Sequence, residues 1–407
     1  MIPRTLGETI RRAARTFPAI LVTGPRQSGK TTLLKTEWGR SHRFVSLENP
    51  DLRARALADP VGFLKENPAP VILDEIQYAP SLLSYVKTAI DEDRKPAQWL
   101  LTGSQNFAVM QGVSQSLAGR VAILTLLPFS IGEATGRDHA KATIGQALEG
   151  ITSGAWRSEA PEFDLADWLL RGAYPEPRAN PAVDRDLWCA SYIQTYLERD
   201  VRQVLNVGDL NAFERFLRLV AARTGQTLNY SDLARDAGVS PPTARKWMSV
   251  LEASGQVFLL PPYFRNFGKR LIKSPKVYWL DTAGATFLMG LRTPEPVLHG
   301  PFIGPLFETA VVSAWVKAFH HRGLSPTLYY WRSRDGLEVD LLVDHDGRLY
   351  PVEAKATATV TPRHAAALIK WRELAGEAAS PTGLIVANVP ARISVAPGVR
   401  AIPWWWI

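Results

Sequence analysis

A glycine-rich loop between an apolar run and a helix-type segment constrains this chain more than any other feature. Residues 19–23 are largely apolar and indicate a β-strand, and a helical pattern begins at Thr32. The intervening loop matches G-x-x-x-x-G-K-[ST] and consists of Gly24, Pro25, Arg26, Gln27, Ser28, Gly29, Lys30 and Thr31. In this context backbone N–H groups surround phosphates, and the helix N-terminus favours their negative charge. The sequence therefore predicts a phosphate-binding loop at residues 24–31.

The chemistry of this loop predicts MgATP as the ligand. Lys30 is expected to reach the β- and γ-phosphates, and the Thr31 hydroxyl to ligate Mg²⁺. Thr32, at the start of the helix, completes the predicted cofactor-binding residues. Arg26 is expected to face solvent or DNA rather than to act in catalysis.

A second motif supplies carboxylates. Residues 71–73 form an apolar run that ends in Asp74 and Glu75. In phosphoryl transfer, a carboxylate in the first position organises Mg²⁺ and one in the second polarises the attacking water. The two motifs together predict a P-loop ATPase, with Lys30 and Glu75 as catalytic residues.

Two further catalytic roles are predicted, one for a residue that follows a strand and one for a residue that precedes another strand. The run at 100–102 is followed by Ser104 and Asn106, either of which is a candidate sensor of the γ-phosphate. Arg120 precedes the apolar run at 121–126 and is a candidate for adding positive charge at the γ-phosphate. Arg120 could act within its own subunit or across the interface of a homo-oligomer.

The order of patterns predicts an α/β fold with several modules. Short β-type runs alternate with helical stretches at residues 19–23, 44–47, 71–73, 99–102 and 121–126, which is typical of a parallel sheet. Helical periodicity dominates from 131 to about 224, and two further modules follow. The predicted domains are 1–135, a helical connector at 136–224, then 225–285 and 286–407.

Length, composition and charge limit the class of protein, its partners and its location. The chain has 407 residues, 46% of them hydrophobic and 21% charged, which indicates a folded protein of more than one domain. Its formal charge of +8 is compatible with a nucleic-acid partner but does not require one. Cys189 is the only cysteine, no apolar run approaches a membrane span, and residues 1–17 do not match a secretory signal. These features predict a cytoplasmic location, with the tail Trp404-Trp405-Trp406 folded back onto a core.

Residues 230–246 have the layout of a helix-turn-helix. A capped helix is followed by Gly238, by a new N-cap at Ser240 and by a second helix that presents Arg245 and Lys246 early. These two residues are predicted to contact duplex DNA, together with a basic wing containing Arg265, Lys269, Arg270 and Lys273. The alternative is a scaffold module whose charges keep its surface soluble.

The motifs occur in an order that resembles a large prokaryotic family, the AAA+-like ATPases with a C-terminal domain of unknown function. The segments that carry the resemblance, besides the two ATPase motifs, are Leu101-Thr102-Gly103-Ser104, Ser116-Leu117-Ala118-Gly119-Arg120, Leu127-Pro128-Phe129-Ser130, Gly172-Ala173-Tyr174-Pro175-Glu176, Glu198-Arg199-Asp200, Tyr330-Trp331-Arg332 and Val352-Glu353-Ala354-Lys355. The resemblance implies an AAA+-like domain joined to a helical and winged-helix segment and a nuclease-like fold. Gly172-Ala173 departs from the paired glycines usual in that family.

The C-terminal module resembles a PD-(D/E)XK nuclease core. Asp340 and Glu353 lie in adjacent β-type runs, and Glu353 and Lys355 share a strand face because side chains alternate. The resemblance implies a second metal site, for Mg²⁺ or Mn²⁺, formed by Glu308, Asp340 and Glu353, with Lys355 orienting the attacking water. The rival interpretation is a degenerate nuclease fold whose charged residues stabilise the sheet edge or bind a partner.

Three functions remain open from the sequence. The leading hypothesis is an ATPase that couples its nucleotide state to DNA binding or processing by the C-terminal modules. The main alternative is a regulatory ATPase switch with protein partners and an inactive nuclease-like domain. The third is a metal-dependent nuclease gated by nucleotide.

Overall fold

The computed structural model describes residues 2–103, 116–137, 141–196, 210–264 and 274–407, which divide into two compact units. Unit 1 is Met1–Phe129 with the short segments Ala253–Gly255 and His320–Leu324. Unit 2 is Ser130–Glu252, Gln256–Phe319 and Ser325–Ile407. The predicted division into modules beyond residue 135 stays a prediction, because all of those modules lie mainly within unit 2.

Unit 1 is built on five parallel strands. These are β1 (Ala19–Thr23), β2 (Arg43–Ser46), β3 (Val71–Asp74), β4 (Trp99–Thr102) and β5 (Val121–Thr125). Their order in the sheet is β2-β3-β4-β1-β5, and every neighbouring pair is parallel. The helices are α1 (Thr5–Ala13), α2 (Lys30–Trp38), α3 (Pro50–Ala58), α4 (Pro60–Glu66) and α5 (Leu82–Glu92), with a 3₁₀ turn at Ile76–Tyr78. The α/β fold class is confirmed.

Alternate residues of the central strands pack into two different cores. Leu21 of β1 and Leu73 of β3 belong to one buried cluster, whereas Ile20 and Ile72 belong to another. A parallel sheet covered on both faces needs apolar side chains on both, so its strands read as continuous apolar runs. This explains why the strands of unit 1 were recognisable from the sequence.

The strand order brings three loops to one edge of the sheet. β4 lies between β1 and β3, with Val22 beside Thr102 and Leu73 beside Leu101. Because the strands are parallel, the segments that follow β1, β3 and β4 emerge at the same edge. The start of β5 lies at the opposite edge, where Val121 is beside Ala19.

The first part of unit 2 is helical, as predicted for residues 131 to 224. Its helices are α6 (Ile131–Ala134), α7 (Ile144–Ser153), α8 (Leu165–Arg171), α9 (Pro175–Ala179), α10 (Arg185–Tyr196) and α11 (Leu210–Ala222). The predicted helical segment at 187–205 is observed as far as Tyr196, and its remainder lies outside the described residues. Glu198-Arg199-Asp200 also lies outside them.

A three-stranded antiparallel sheet and two helices follow. The strands β6 (Gln226–Thr227), β7 (Val257–Leu260) and β8 (Lys276–Trp279) have the order β6-β8-β7, and the helices are α12 (Tyr230–Ala237) and α13 (Pro241–Ala253). Asn229 caps α12, and Gly238 ends it with φ +74°. The two predicted helices and the turn at Gly238 are observed, and the winged-helix assignment stays a prediction. β6 was not predicted, because two residues give no pattern.

The C-terminal part of unit 2 contains a six-stranded mixed sheet. Its elements are α14 (Thr282–Leu288), α15 (Pro294–Leu298), α16 (Ile303–His320), β9 (Leu328–Arg332), β10 (Glu338–His345), β11 (Arg348–Lys355), α17 (Ala366–Ala375), β12 (Gly383–Ala387), β13 (Ile393–Ala396) and β14 (Val399–Pro403). The sheet order is β13-β14-β12-β11-β10-β9. Short 3₁₀ turns lie at Pro362–Ala365, Gly376–Ala378 and Trp404–Trp406.

The tryptophan tail is buried against the helical part of unit 2, where Trp404 packs on Phe163 and Trp168. Trp404, Trp405 and Trp406 are all buried, and the indole N–H groups of Trp405 and Trp406 donate to the carbonyl of Ser158. The expectation that the tail folds back is confirmed. Across the described ranges, no helix combines the length and apolar character that a membrane span requires.

Burial of the single cysteine gives a test of unit 2. Cys189 is 2% exposed, and burial raises the pKa of its thiol to about 12. Since the thiolate is the reactive form, we expect Cys189 to resist 5,5′-dithiobis(2-nitrobenzoate) at pH 8 and to react at once in denaturing urea. Absorbance of the released thionitrobenzoate measures both rates. Native protein reacting as fast as unfolded protein would contradict the burial.

Candidate functional site

The loop at residues 24–31 has a backbone that requires glycine at its first position. Gly24 has φ +138°, and a Cβ there would lie 2.1 Å from the carbonyl oxygen of Leu126. Gln27 and Gly29 also have positive φ angles, of 58° and 93°. The chain therefore turns tightly between β1 and α2, which begins at Lys30. Because glycine has no side chain, a ligand can approach the backbone of this turn closely.

Lys30 lies beneath this loop. Its side chain is buried, and Nζ donates hydrogen bonds to the carbonyl oxygens of Gly24 at 3.1 Å and Pro25 at 2.9 Å. The Ser28 hydroxyl is buried and has no hydrogen-bond partner among the described residues. A buried ammonium group and an unused hydroxyl in a glycine cradle fit the phosphates of a nucleotide. Arg26 is half-buried, whereas Gln27 and Thr32 are exposed.

Asp74 accepts three hydroxyl hydrogen bonds at the end of β3. Oδ1 accepts from Thr31 at 2.6 Å and from Thr102 at 2.7 Å, and Oδ2 accepts from Ser46 at 3.1 Å. The loop, β2, β3 and β4 thus meet at one buried carboxylate. Thr31 and Asp74 offer the hard oxygen atoms that Mg²⁺ prefers, so the residues present fit the predicted ion.

Glu75 follows Asp74 in a fixed conformation. It has φ +57°, its backbone N–H donates to the Thr102 hydroxyl at 3.0 Å, and its carboxylate accepts from the side-chain amide of Gln77. Positive φ is uncommon for a residue other than glycine and is often found where geometry matters for function. Glu75 is therefore held at its backbone by Thr102 and at its carboxylate by Gln77, and neither of these was predicted as a site residue.

Arg4 also supports the loop and was missed by the sequence analysis. Its buried guanidinium donates to the carbonyl of Ser28 at 2.7 Å and to that of Leu127 at 2.6 Å, and it lies 4.7 Å from the centre of the Phe129 ring. Arg4 precedes α1, far in sequence from both carbonyls. No local pattern marks such a contact, although Thr102, Ser46 and Gln77 could have been found as polar residues at or just beyond neighbouring strand ends.

The structure does not bring Arg120 to the phosphate-binding loop of its own chain. Arg120 precedes β5, at the sheet edge opposite the loop, and β5 spans about 16 Å. Its guanidinium bonds both carboxylate oxygens of Asp91, at 2.6 and 3.0 Å, and this hydrogen bonding lowers the pKa of Asp91. A role of Arg120 at the γ-phosphate, within its own subunit or across an interface, stays a prediction. Ser104 and Asn106 lie outside the described residues.

The C-terminal domain contains a second group of carboxylates. Glu308 of α16, Glu338 and Asp340 each offer an oxygen within 4.8 Å of the others, a spacing that could hold a metal ion. We call these three residues the acidic cluster. Asp340 and Glu308 were predicted as ligands, and Glu338, two residues before Asp340, was not. Glu353 is outside this group of three, and its Oε1 accepts from Lys355 at 2.6 Å.

Two of these carboxyl groups are strongly perturbed. Burial, and then the charge of Asp340, raise the pKa of Glu308 to about 7 and that of Glu353 to about 8. Asp340 itself accepts from the backbone N–H of Ala354 at 2.9 Å and lies 3.6 Å from Lys355 Nζ. Crowded buried carboxyl groups share this behaviour in metal sites and in structural ion-pair networks alike.

The predicted DNA-contacting residues lie on an exposed helix face. Arg245 and Lys246 of α13 are exposed, and the Arg245 guanidinium stacks 4.6 Å from the ring centre of Tyr230. Neither makes an ion pair among the described residues. Arg265, Lys269, Arg270 and Lys273, the predicted basic wing, lie outside the described residues.

Family models match three parts of the chain. An AAA domain matches residues 16–135, a domain of unknown function (DUF8612) matches 162–295, and a domain of unknown function (DUF4143) matches 303–407. The AAA match covers the parallel sheet and the loop, Asp74 and Glu75. Fold, site and match together define an AAA-like P-loop ATPase.

Two curated relatives fix the family. The chain is 32% identical over 361 residues to the uncharacterized protein Rv2008c of Mycobacterium tuberculosis, which covers 88% of this chain and 74% of the relative. The same values hold for the uncharacterized protein Mb2031c of Mycobacterium bovis. The chain belongs to the family of these two proteins. Among solved structures, the Walker-type ATPase PABY2304 of Pyrococcus abyssi is 15% identical, with 71% of this chain and 96% of that chain covered and a TM-score of 0.41.

The contacts of Arg4 predict an effect on nucleotide affinity. Replacing Arg4 by Ala removes the hydrogen bond to Ser28 in the loop and the one to Leu127, which together tie the loop to the segment after β5, so we expect the Kd for ATP to rise about tenfold. Titration with a fluorescent ATP analogue measures it, with circular dichroism to verify folding. Arg15→Ala, which changes an exposed arginine two residues beyond α1, is the matched control. Unchanged affinity in Arg4→Ala would show that the loop holds its shape without it.

Proposed function

We propose that this chain binds MgATP in the loop at residues 24–31, hydrolyses it, and couples the nucleotide state to duplex-DNA binding by unit 2. The observation that carries the ATPase part is the 2.6 Å hydrogen bond between Thr31 and Asp74 beside the buried ammonium group of Lys30. It joins a predicted phosphate-binding element to a predicted Mg²⁺-organising carboxylate. If the loop were only a structural turn, there would be no reason for Thr31 to contact a carboxylate at the end of another strand.

Each residue of this site has a distinct role in the proposed reaction. The glycine backbone and Lys30 bind the phosphates, and Thr31 and Asp74 hold Mg²⁺. The bound ion would neutralise charge that develops on the phosphate oxygens. Glu75 orients and deprotonates the attacking water, and Gln77 and Thr102 keep Glu75 in position for that task.

The DNA part rests on the helix α13. A helix that follows a tight turn and exposes two basic residues near its start resembles a recognition helix, and strands before and after the two helices are expected of a winged helix. Arg235 of α12, by contrast, is paired with Asp232 and Asp236. Arg245 and Lys246 therefore present charge that no carboxylate among the described residues compensates, which favours contact with phosphates.

The second candidate is a regulatory ATPase switch with protein partners and an inactive nuclease-like domain. The observation that favours it lies in the C-terminal domain, where lysine side chains already occupy the carboxylates predicted to hold a metal. Both candidates share the ATPase site. They differ in whether duplex DNA binds and whether it changes ATP turnover.

ATP turnover with and without duplex DNA tests the coupled function. Glu75→Gln should lower kcat by about a hundredfold or more, because it removes the general base, while ATP still binds. Release of inorganic phosphate measures turnover, and Glu92→Gln, at an exposed position, is the control. Wild-type turnover in Glu75→Gln would overturn the assigned role. Turnover that is indifferent to DNA would favour the switch.

DNA binding is tested separately from turnover. Replacing Arg245 and Lys246 together by Ala should weaken duplex binding and reduce the slope of log K against log salt by about 0.9 per lost phosphate contact. Fluorescence anisotropy of a labelled duplex at several salt concentrations measures both quantities. Arg235→Ala, whose charge is already paired, should change neither. If wild-type protein binds no DNA even at low salt, the DNA part is wrong and the ATPase part stands.

A further inference from the structure

A lysine side chain lies inside the acidic cluster. Lys276 of β8 is 5% exposed, its Nζ donates to Glu308 Oε1 at 2.9 Å, and it forms a second ion pair with Glu338 Oε1. Tyr278, two residues further along the same strand face, donates its hydroxyl to the same Glu308 oxygen. Two of the three carboxylates that could hold a metal ion are thus already bonded to a protein cation.

A divalent ion would need the same carboxylates. Mg²⁺ and Mn²⁺ bind carboxylate oxygens directly and at short range, so they compete with hydrogen-bond donors on those atoms. In this cluster Glu308 Oε1 already accepts from two donors and Glu338 Oε1 is paired with the ammonium group. An ammonium group bonded to two of the ligands would also repel a second cation at close distance.

Lys276 is fixed where it is. It lies in the central strand of the β6-β8-β7 sheet, opposite Thr227 on one side and Leu260 on the other. Burial alone would lower the pKa of Lys276, but the charges of Glu308 and Glu338 raise it above the ordinary value. Two ion pairs hold the ammonium group, and a strand paired on both sides does not let the Lys276 side chain withdraw easily.

The neighbouring carboxylates are neutralised in the same manner. Lys355 bonds Glu353 Oε1 at 2.6 Å and lies 3.6 Å from Asp340 Oδ2, which also accepts from the backbone of Ala354. The lysine predicted to orient a catalytic water is thus a counter-ion for the predicted ligands. Lys276 of β8 and Lys355 of β11 together form ion pairs with all four carboxylates of this region, which are those of Glu308, Glu338, Asp340 and Glu353.

We propose that Lys276 is the resident cation of the acidic cluster and that the cluster binds no divalent metal ion while its ammonium group is present. The ion pairs then join β8 of the three-stranded sheet to α16 and β10 of the C-terminal domain. The acidic cluster therefore does not support metal-dependent cleavage of nucleic acid. This inference does not depend on ATP turnover in unit 1.

Mn²⁺ binding to the metal-stripped, nucleotide-free full chain tests the inference, with free Mn²⁺ counted by electron paramagnetic resonance. Wild type and Asp340→Asn should bind Mn²⁺ alike, because the cluster contributes nothing in either. Lys276→Met should gain one site, at least about tenfold tighter than any in the wild type. The double variant Lys276→Met/Asp340→Asn should lose that site. Lys276→Arg, which keeps the charge, and Lys246→Met, which changes an exposed lysine, should gain none.

Two results would overturn the inference. One is Mn²⁺ binding by the wild type that disappears in Asp340→Asn, since the cluster would then hold metal with Lys276 in place. The other is a folded Lys276→Met that gains no site. Near-UV circular dichroism establishes folding, and if Lys276→Met does not fold, the comparison of wild type with Asp340→Asn decides alone.

Discussion

The parallel alignment of β1, β3 and β4 is the constraint on which the ATPase site depends. It places the segments that follow these strands at one edge of the sheet, so that Asp74 can accept hydroxyl hydrogen bonds from Thr31 and Thr102. The Thr102 hydroxyl also accepts a hydrogen bond from the backbone N–H of Glu75. The loop and the two carboxylates that are predicted to organise Mg²⁺ and to activate water are thereby linked through a few short contacts.

The carboxylates of unit 1 and those of the acidic cluster have opposite kinds of hydrogen-bond partner, neutral in one case and charged in the other. Asp74 accepts hydrogen bonds from hydroxyl groups, which are neutral and leave its negative charge available to a cation. Glu308 and Glu338 are instead bonded to Lys276, a fixed charge whose removal would leave carboxylates uncompensated. The same residue types therefore suit ligand binding in unit 1 and structural cohesion in unit 2.

Much of the ATPase site was predictable from the sequence, because local patterns carry it. The residues 24–31 and the pair Asp74 and Glu75 were identified from motif and strand context, and the strands around them were found from their apolar runs. Arg4 and Lys276 were not, since each acts on residues far away in sequence. Arg120 was assigned a catalytic role by proximity to a strand, but only the sheet shows at which end of that strand it lies.

By itself the sequence determined the α/β class of unit 1, its phosphate-binding loop, the carboxylates after β3 and the helix-turn-helix layout of α12 and α13. These features are encoded by periodicity and by residues close together in the chain. Only the tertiary structure decided that Arg4 supports the loop, that Arg120 pairs with Asp91, and that Lys276 enters the acidic cluster. Such contacts depend on strand order and packing, and these bring together residues that no local pattern connects.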